Sequence, residues 1–259
     1  MPAATRSRAY ILCTAPRSGS TLLCCMLAAT GVAGRPGSHL HAPALEGWLA
    51  AYDLDPDAFD AEEDAARAVL AAALSRGRGR GQDLAAPFAL RLQSGSFPHL
   101  IARLAALHPD AADDRARLAA AFGPARFIHL SRPDRLGQAL SRVRAEQTGL
   151  WHRRANGSEL ERLAPPAPPR YDRAAIAAAM AQAEALDAAW NAWFAAEDIA
   201  PLRLDYADLA EDPRAVLAET LRFLDLDPAL AEAVEPPTAR LADAETARWR
   251  ARFEAEGAP

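Results

Sequence analysis

Three segments of the chain each place a short apolar run, a polar turn and a helix-like pattern in that order. The apolar runs are residues 10–13, 126–130 and 202–206, and the helical patterns cover residues 20–30, the stretch from 133 onward, and residues 212–224. Strands that alternate with helices in this way predict an α/β fold with a parallel sheet flanked by helices on both faces. Ligands in such folds bind beyond the carboxyl ends of the strands, where all three polar turns lie.

The bulk composition is that of a globular protein and excludes several classes of function. The chain has 259 residues, 51% of them hydrophobic and 24% charged, which predicts a single domain over residues 1–259. No apolar run approaches the roughly 18 residues of a membrane span. The polar start leads into a run too short for a signal peptide, so we expect a cytoplasmic protein. The net charge of −5 argues against nucleic acid as a partner.

The basic and sulfur-bearing residues narrow the chemistry further. All 29 basic residues are arginine, so any mechanism that needs a lysine ammonium is excluded. The three cysteines, Cys13, Cys24 and Cys25, lie in apolar runs and have neither metal-ligand nor redox spacing. We therefore expect them to be small buried side chains, and we expect no bound metal.

The turn after the first apolar run, residues 16–23 (Pro-Arg-Ser-Gly-Ser-Thr-Leu-Leu), carries the strongest functional signal. A glycine-bearing turn at a helix N-terminus presents free backbone N–H groups and the positive end of the helix dipole, which together bind an anion. Arg17 adds a planar charged fork for phosphate oxygens. Ser18, Gly19, Ser20 and Thr21 supply hydroxyl and backbone donors. We predict a phosphate-binding loop here, and a capped structural turn is the alternative.

The same turn differs from the loop that binds ATP or GTP. That loop ends in Gly-Lys-Ser/Thr and begins with another glycine. This chain has Gly19-Ser20-Thr21, with no lysine and no earlier glycine in the turn. The loop is therefore expected to bind a different nucleotide, if it binds one at all.

A second polar turn follows the second apolar run. Ser131 suits the N-cap of the next helix, Pro133 its first turn, and Asp134 its positive end. Arg132 emerges where a second phosphate could bind, and Ser141 lies farther along the same helix. Two separate phosphates point away from simple ATP, while a surface arginine is the alternative interpretation of Arg132.

These motifs resemble those of a known class of enzymes. Residues 17–23 resemble the 5′-phosphosulfate loop of sulfotransferases that use 3′-phosphoadenosine 5′-phosphosulfate (PAPS), and residues 132–141 resemble their 3′-phosphate site. Residues 204–209, followed by Asp212-Pro and residues 223–226, resemble the strand and helix that come next in the same class.

The finer match is to the trehalose 2-sulfotransferase family of bacterial carbohydrate sulfotransferases. Residues 29–34 with Pro36, residues 144–148 with Trp151, and residues 190–194 carry this finer likeness. The resemblance runs over nearly the whole chain in the expected order, so the motifs are stronger together than any one alone.

The resemblance implies a P-loop-type fold and an enzyme that moves a sulfuryl group from PAPS to a hydroxyl of a small acceptor, a carbohydrate or glycolipid, without a metal. It implies that residues 18–21 hold the 5′-phosphosulfate and that Arg17 stabilises charge on the leaving phosphate. Arg132 and Ser141 would bind the 3′-phosphate. A homodimer is typical of the family. A P-loop kinase and a catalytically inactive nucleotide-binding protein are the alternatives.

Two positions depart from the family pattern. Ser38 stands where the family has its acceptor-activating glutamate, and Arg91 stands where the family has a lysine. An extended segment would put His39 and His41 on one face, and histidine titrates near neutrality, so either could take the acceptor proton. His41 is preferred because Leu40 is expected to point into the core. Glu46 or a substrate-assisted route is the fallback, and the role of Arg91 stays open.

Overall fold

The computed structural model describes residues 9–79, 86–237 and 243–257. The described strands, in chain order, are β1 (Ala9–Thr14), β2 (Phe88–Gln93), β3 (Ala125–Ser131), β4 (Leu150–Arg153), β5 (Glu159–Arg162) and β6 (Leu202–Asp205). Four of them form a sheet in the order β2-β1-β3-β6, and every neighbouring pair in it is parallel. The other two, β4 and β5, form an antiparallel hairpin.

Helices cover the sheet and follow its strands. Those described are α1 (Ser20–Ala29), α2 (Leu45–Ala51), α3 (Glu62–Arg78), α4 (Phe97–Leu107), α5 (Asp114–Phe122), α6 (Arg135–Thr148), α7 (Arg173–Ala196), α8 (Tyr206–Glu211), α9 (Pro213–Phe223) and α10 (Ala244–Ala255). Short 3₁₀ turns occupy Pro56–Ala58 and Pro228–Ala233. Among the described helices, none has the length and hydropathy that a bilayer crossing needs.

The central strand β1 is buried on both faces, which confirms the predicted layering. Ile11 and Cys13 pack into one apolar core with side chains from α2, α3, α4, α5 and α7. Tyr10 and Leu12 alternate to the other face and pack with α1 and α9. A strand without an exposed face has to be apolar throughout, and this is why the run was readable from the sequence. A third apolar cluster joins α6, α7 and α10.

The turn between β3 and α6 differs from the prediction. Ser131 is still a strand residue, paired with Asp205 of β6, so it cannot cap the helix. The N-cap is Asp134, whose carboxylate accepts a hydrogen bond from the Gly137 amide at 2.9 Å. Pro133 disfavours helical backbone at Arg132, the residue before it, and the cap by Asp134 sets the helix start at Arg135.

The third predicted unit also differs in detail. The strand β6 ends at Asp205, and Tyr206 begins the short helix α8 rather than ending the strand. The Asp205 side chain caps that helix by accepting from the Ala207 amide at 2.7 Å. The structure also adds the strand β2, which the sequence interpretation did not include. As a result, Arg91 lies within the sheet, opposite Leu12 of β1.

Candidate active site

The N-terminus of α1 is left open at the carboxyl end of β1. Its N-cap, Gly19, has φ +87°, and no side chain caps the helix. An added Cβ there would lie 2.6 Å from Cδ2 of Tyr206, so both the backbone conformation and the packing demand glycine. The first amides of a helix have no partner within the helix. The turn therefore directs unpaired N–H groups and the positive end of the dipole toward an anion.

The hydroxyls of this turn are directed to different places. Ser18 is 1% exposed, and its hydroxyl forms a short hydrogen bond with that of Thr14 inside the protein. Ser20 is also buried. The hydroxyl of Thr21 accepts a hydrogen bond from Nη1 of Arg91 at 2.8 Å. Donor contacts from Ser18, Ser20 and Thr21 stay a prediction, in which the inward-facing Ser18 would contribute its backbone amide rather than its hydroxyl.

Arg17 is held in an unusual backbone conformation beside this open helix end. Its φ of +66° is left-handed, which costs energy for any residue with a Cβ and often marks a functional turn. Nε donates to the Ser141 hydroxyl at 2.9 Å, and Nη1 donates to the Trp151 carbonyl at 2.6 Å. Among the described residues no carboxylate lies within ion-pair distance of its guanidinium.

Burial makes the charge of Arg17 costly. Burial, as the largest cause, and the neighbouring positive charge of Arg132 together lower the pKa of Arg17 to about 10. The guanidinium is still protonated at neutral pH. A half-buried cation without a carboxylate partner is a strong binding group for an incoming phosphate or sulfate oxygen.

Arg132 follows the end of the neighbouring strand β3, and its side chain reaches the backbone of Arg17. Its guanidinium stacks on the ring of Tyr206 at 4.2 Å from the ring centroid, and Nη1 donates to the Arg17 carbonyl at 3.3 Å. Burial, as the largest cause, lowers the pKa of Arg132. Nε of Arg132 is buried and has no hydrogen-bond partner among the described residues. This unused donor fits a ligand that brings an anionic oxygen.

The residues predicted for the two phosphate sites form one connected cluster. Arg17 bonds to Ser141 of α6, and Arg132 bonds to the backbone of Arg17. Gln138 of α6 also donates to the Pro16 carbonyl at 2.7 Å, which ties the helix to the loop. The two strand ends thus build a single positively charged surface that can take a ligand with two anionic groups.

Arg91 links this surface to the segment that carries Ser38. Its Nε donates to the Ser38 hydroxyl at 3.0 Å, and its Nη1 donates to Thr21. The position of Ser38 is set by a parallel bridge between Gly37 and Leu90 of β2. Ser38, which the sequence predicts to stand at the family's glutamate position, therefore lies one arginine away from the predicted phosphate loop.

The segment 38–41 is a turn and not an extended strand, so the face-sharing argument for its histidines was wrong. His39 lies over Gly37, and its Nε2 is 2.9 Å from the Arg35 carbonyl. His41 is exposed, with Nδ1 2.9 Å from the Ser38 carbonyl. Leu40 does point into the core, with 1% exposure. A catalytic role for either histidine stays a prediction, and Glu46 is exposed on the first turn of α2.

Sequence reasoning missed one histidine that contacts the cluster. His152 of β4 is 3.4 Å from Arg17, measured from Nε2 to Nη1, and its Nδ1 lies 2.5 Å from Oε2 of Glu161 on β5. The sequence did contain a signal. Asn156-Gly157 is typical of a hairpin turn, and pairing the flanking residues puts His152 opposite Glu161.

An α/β fold with two linked arginines at neighbouring strand ends is typical of the class of proteins that bind anionic ligands at that edge of the sheet. Comparison with known proteins makes the class specific, because the sequence model of the Stf0 sulphotransferase family matches residues 9–256. The chain belongs to this family and is a sulfotransferase. Among the described residues, no group of three or more His, Cys, Asp or Glu side chains is placed to hold a metal ion.

Two relatives are similar over almost their whole length. A trehalose 2-sulfotransferase of Mycolicibacterium smegmatis is 30% identical over 95% of this chain and 94% of its own length. A trehalose 2-sulfotransferase of Mycobacterium tuberculosis is 32% identical over 96% of this chain and 95% of its own length. A solved sulfotransferase domain from the Synechococcus PCC 7002 olefin synthase covers 97% of each chain, with a TM-score of 0.38 and 17% identity.

Proposed function

We propose that the protein transfers a sulfuryl group from PAPS to a hydroxyl of a carbohydrate or glycolipid acceptor. The observation that carries this proposal is the hydrogen-bonded cluster of Arg17, Arg132 and Ser141. Its residues follow the carboxyl ends of the two neighbouring strands β1 and β3. A mononucleotide with one phosphate group would leave part of this cluster without a partner. PAPS has a 5′-phosphosulfate and a 3′-phosphate, and therefore matches two anion sites.

Each residue of the cluster is assigned a separate task. The open end of α1, with residues 18–21, holds the 5′-phosphosulfate through backbone amides and hydroxyls. Arg132 and Ser141 bind the 3′-phosphate, and the unpartnered Nε of Arg132 gains its hydrogen bond there. When bound, PAPS supplies an activated sulfuryl group. Arg17 stabilises the negative charge that grows on the leaving phosphate during transfer.

For the acceptor, only a chemical class is proposed. Both curated relatives are named for sulfation of trehalose, which supports a carbohydrate class for the acceptor. The sequence alone predicts His39 or His41 as the base, with Glu46 or a substrate-assisted route as the fallback, because Ser38 has no group that titrates near neutrality. Residues 1–259 are proposed as a single domain, and a homodimer stays a prediction.

Calorimetry with the reaction product 3′-phosphoadenosine 5′-phosphate and with AMP tests the donor assignment. AMP lacks the 3′-phosphate and leaves Arg132 without its charge-assisted hydrogen bond. We therefore expect AMP to bind about 10- to 100-fold more weakly, the equivalent of about 1.5–3 kcal/mol. In Arg132→Ala the two ligands should bind with nearly equal affinity. Equal affinities in the unmodified protein would overturn the assignment of Arg132 and the donor with it.

Mass spectrometry of an acceptor panel incubated with PAPS tests the transfer itself. A gain of one sulfuryl group on a sugar or glycolipid, trehalose included, is the expected result. Phosphorylation of an acceptor that depends on Mg²⁺ and ATP would favour a P-loop kinase instead. Tight binding of the product nucleotide with no transfer to any acceptor would favour a catalytically inactive nucleotide-binding protein.

A further inference from the structure

The hairpin β4–β5 brings an imidazole and a carboxylate to the edge of the phosphate loop. Nδ1 of His152 lies 2.5 Å from Oε2 of Glu161, and Nε2 of His152 lies 3.4 Å from Nη1 of Arg17. The His152 side chain is 23% exposed, so it is half-buried and still reachable from solvent. The backbone of Trp151, the preceding residue, also accepts from Arg17. The hairpin is therefore anchored directly to the loop.

The two contacts of His152 fix the same tautomer. An ionised carboxylate can only accept, so Nδ1 carries the proton that is shared with Glu161. A guanidinium can only donate, so Nε2 faces Arg17 with its lone pair. The unprotonated nitrogen of His152 is thus directed toward the loop that the proposed donor occupies. A histidine held by a carboxylate in this way has the arrangement of a general base.

The charges around His152 favour a neutral ring at neutral pH. Burial lowers the pKa of His152 below its ordinary value of 6.5, and Arg17 and the more distant Arg91 lower it as well. Glu161 acts in the opposite direction and partly restores the pKa. The charged groups in contact with the imidazole are Glu161 from β5 and Arg17 from the β1–α1 turn, and Arg91 from β2 acts on it from farther away.

The two histidines near Ser38 have weaker claims to this role. A backbone carbonyl holds one nitrogen of each ring, Nε2 of His39 at Arg35 and Nδ1 of His41 at Ser38, and the other nitrogen of each ring has no hydrogen-bond partner among the described residues. Neither histidine has a carboxylate partner among the described residues. His152 has both a carboxylate behind it and the phosphate loop in front of it.

We propose that His152, positioned by Glu161, is the catalytic residue that accepts the proton of the acceptor hydroxyl. The inference rests on the proposed sulfuryl transfer. His152 would take the role of the glutamate that the family is expected to have at the position of Ser38. As the acceptor oxygen forms its bond to sulfur, the bond between sulfur and the bridging phosphate oxygen breaks. The electron pair of that bond stays on the phosphate. Nη1 of Arg17, which contacts Nε2 of His152 in the structure, turns to that phosphate, so the lone pair of Nε2 is released and takes the hydroxyl proton.

Nitrogen NMR of ¹⁵N-histidine-labelled protein without substrates gives the first test, since it does not depend on turnover. The His152 signal, assigned by its loss in His152→Gln, should report a proton on Nδ1 and a pKa below 6.5. Glu161→Gln removes the group that raises this pKa, so the pKa should fall further. Glu159→Gln is the matched control, because this exposed carboxylate on the same strand pairs with Arg162 and should leave the His152 signal unchanged.

The pH dependence of the rate at saturating PAPS gives the second test. The rate of the unmodified protein should fall with decreasing pH at the pKa measured by NMR, because protonation removes the base. His152→Gln should lower kcat by about 10²- to 10⁴-fold and abolish this acidic limb. Its affinity for 3′-phosphoadenosine 5′-phosphate should stay within about twofold, well under the tenfold step of 1.4 kcal/mol. Glu161→Gln should move the limb to lower pH together with the NMR value.

Several results would overturn the proposal. A His152→Gln variant that keeps its rate and its acidic limb excludes His152, and loss of the limb in His39→Ala or His41→Ala transfers the role to that histidine. If His152→Gln does not fold, an unmoved limb in Glu161→Gln excludes the pair. Failure of the proposed function looks different, because the unmodified protein would then bind the product nucleotide no better than AMP or transfer nothing. In that case the assignment of His152 as the base would fail as well, because there would be no sulfuryl transfer for it to assist.

Discussion

The turns after β1 and β3 both place an arginine before a helix, but only the second helix has a side-chain cap at its N-terminus. Both follow neighbouring parallel strands, and each places an arginine, Arg17 or Arg132, before a helix. The helix after Arg17 begins at a left-handed glycine and has no side-chain cap. The helix after Arg132 is closed by Asp134, which also bonds to Arg250 of α10 at 2.7 Å.

This difference determines whether backbone groups or side chains are available to bind an anion after each strand. At β1–α1 the helix amides are available, so backbone groups and the dipole can bind the anion. At β3–α6 the Asp134 carboxylate occupies the helix end, so an anion there has to be bound by side chains such as Arg132 and Ser141. The same sequence pattern of strand, turn and helix thus leaves one helix end open and closes the other, and the proposed donor would be bound by backbone groups at the first and by side chains at the second.

Replacing the arginine of the open turn should have the largest effect. In Arg17→Ala we expect kcat to fall by about 10²- to 10³-fold, because charge on the leaving phosphate grows only during transfer. Affinity for 3′-phosphoadenosine 5′-phosphate should change less than it does in Arg132→Ala. Steady-state rates at saturating PAPS and calorimetry on both variants separate the two effects. If Arg17→Ala changed only affinity and left kcat intact, Arg17 would not be catalytic.

Closing the open turn sterically should have an intermediate effect. Gly19→Ala combines the left-handed φ of +87° with a Cβ that collides with Tyr206, whose ring supports Arg132. Gly31→Ala is the matched control at the other end of α1, where φ is +74° and nothing lies within 4 Å.

Both glycine variants should lose about 1–2 kcal/mol of stability to backbone strain. Gly19→Ala should lose about 1–3 kcal/mol more to overpacking, and it should weaken binding of 3′-phosphoadenosine 5′-phosphate by at least about tenfold, or 1.4 kcal/mol. Denaturant unfolding and calorimetry give the two quantities. Equal behaviour of the two variants would mean that the contact with Tyr206 has no part in the site.

Opening the closed turn should have the smallest effect. Asp134→Ala removes a helix cap worth about 1 kcal/mol, and so does Asp172→Ala at α7, which accepts from the Ala175 amide at 2.9 Å. Asp134 also lies 3.6 Å from Arg132 across a partly exposed ion pair. Its loss should tighten binding of 3′-phosphoadenosine 5′-phosphate by up to about fivefold, the equivalent of about 1 kcal/mol. Weaker binding in Asp134→Ala than in Asp172→Ala would instead mean that Asp134 positions Arg132.

Much of the fold was readable from local pattern. The helix after the first turn begins at Ser20 as predicted, and the predicted strand before it is β1, whose residues are all buried. These elements can be predicted from the sequence because a buried strand is apolar throughout and a helix repeats its apolar positions every three or four residues. Boundaries beside Pro133 and Tyr206 were missed, since their position depends on pairing between β3 and β6.

The sequence by itself determined the fold class and the residue types of the anion sites, because strand, turn and helix propensities act over a few neighbouring residues. Only the tertiary structure decided which of these residues meet. Arg17 reaches Ser141 and His152 across 124 and 135 residues of chain, and Arg91 joins Thr21 to Ser38 only because β2 pairs with β1. Such contacts follow from strand order, register and the packing of a hairpin against the sheet. No local pattern encodes these long-range distances, so the pairing of His152 with Glu161 beside Arg17 emerged only in three dimensions.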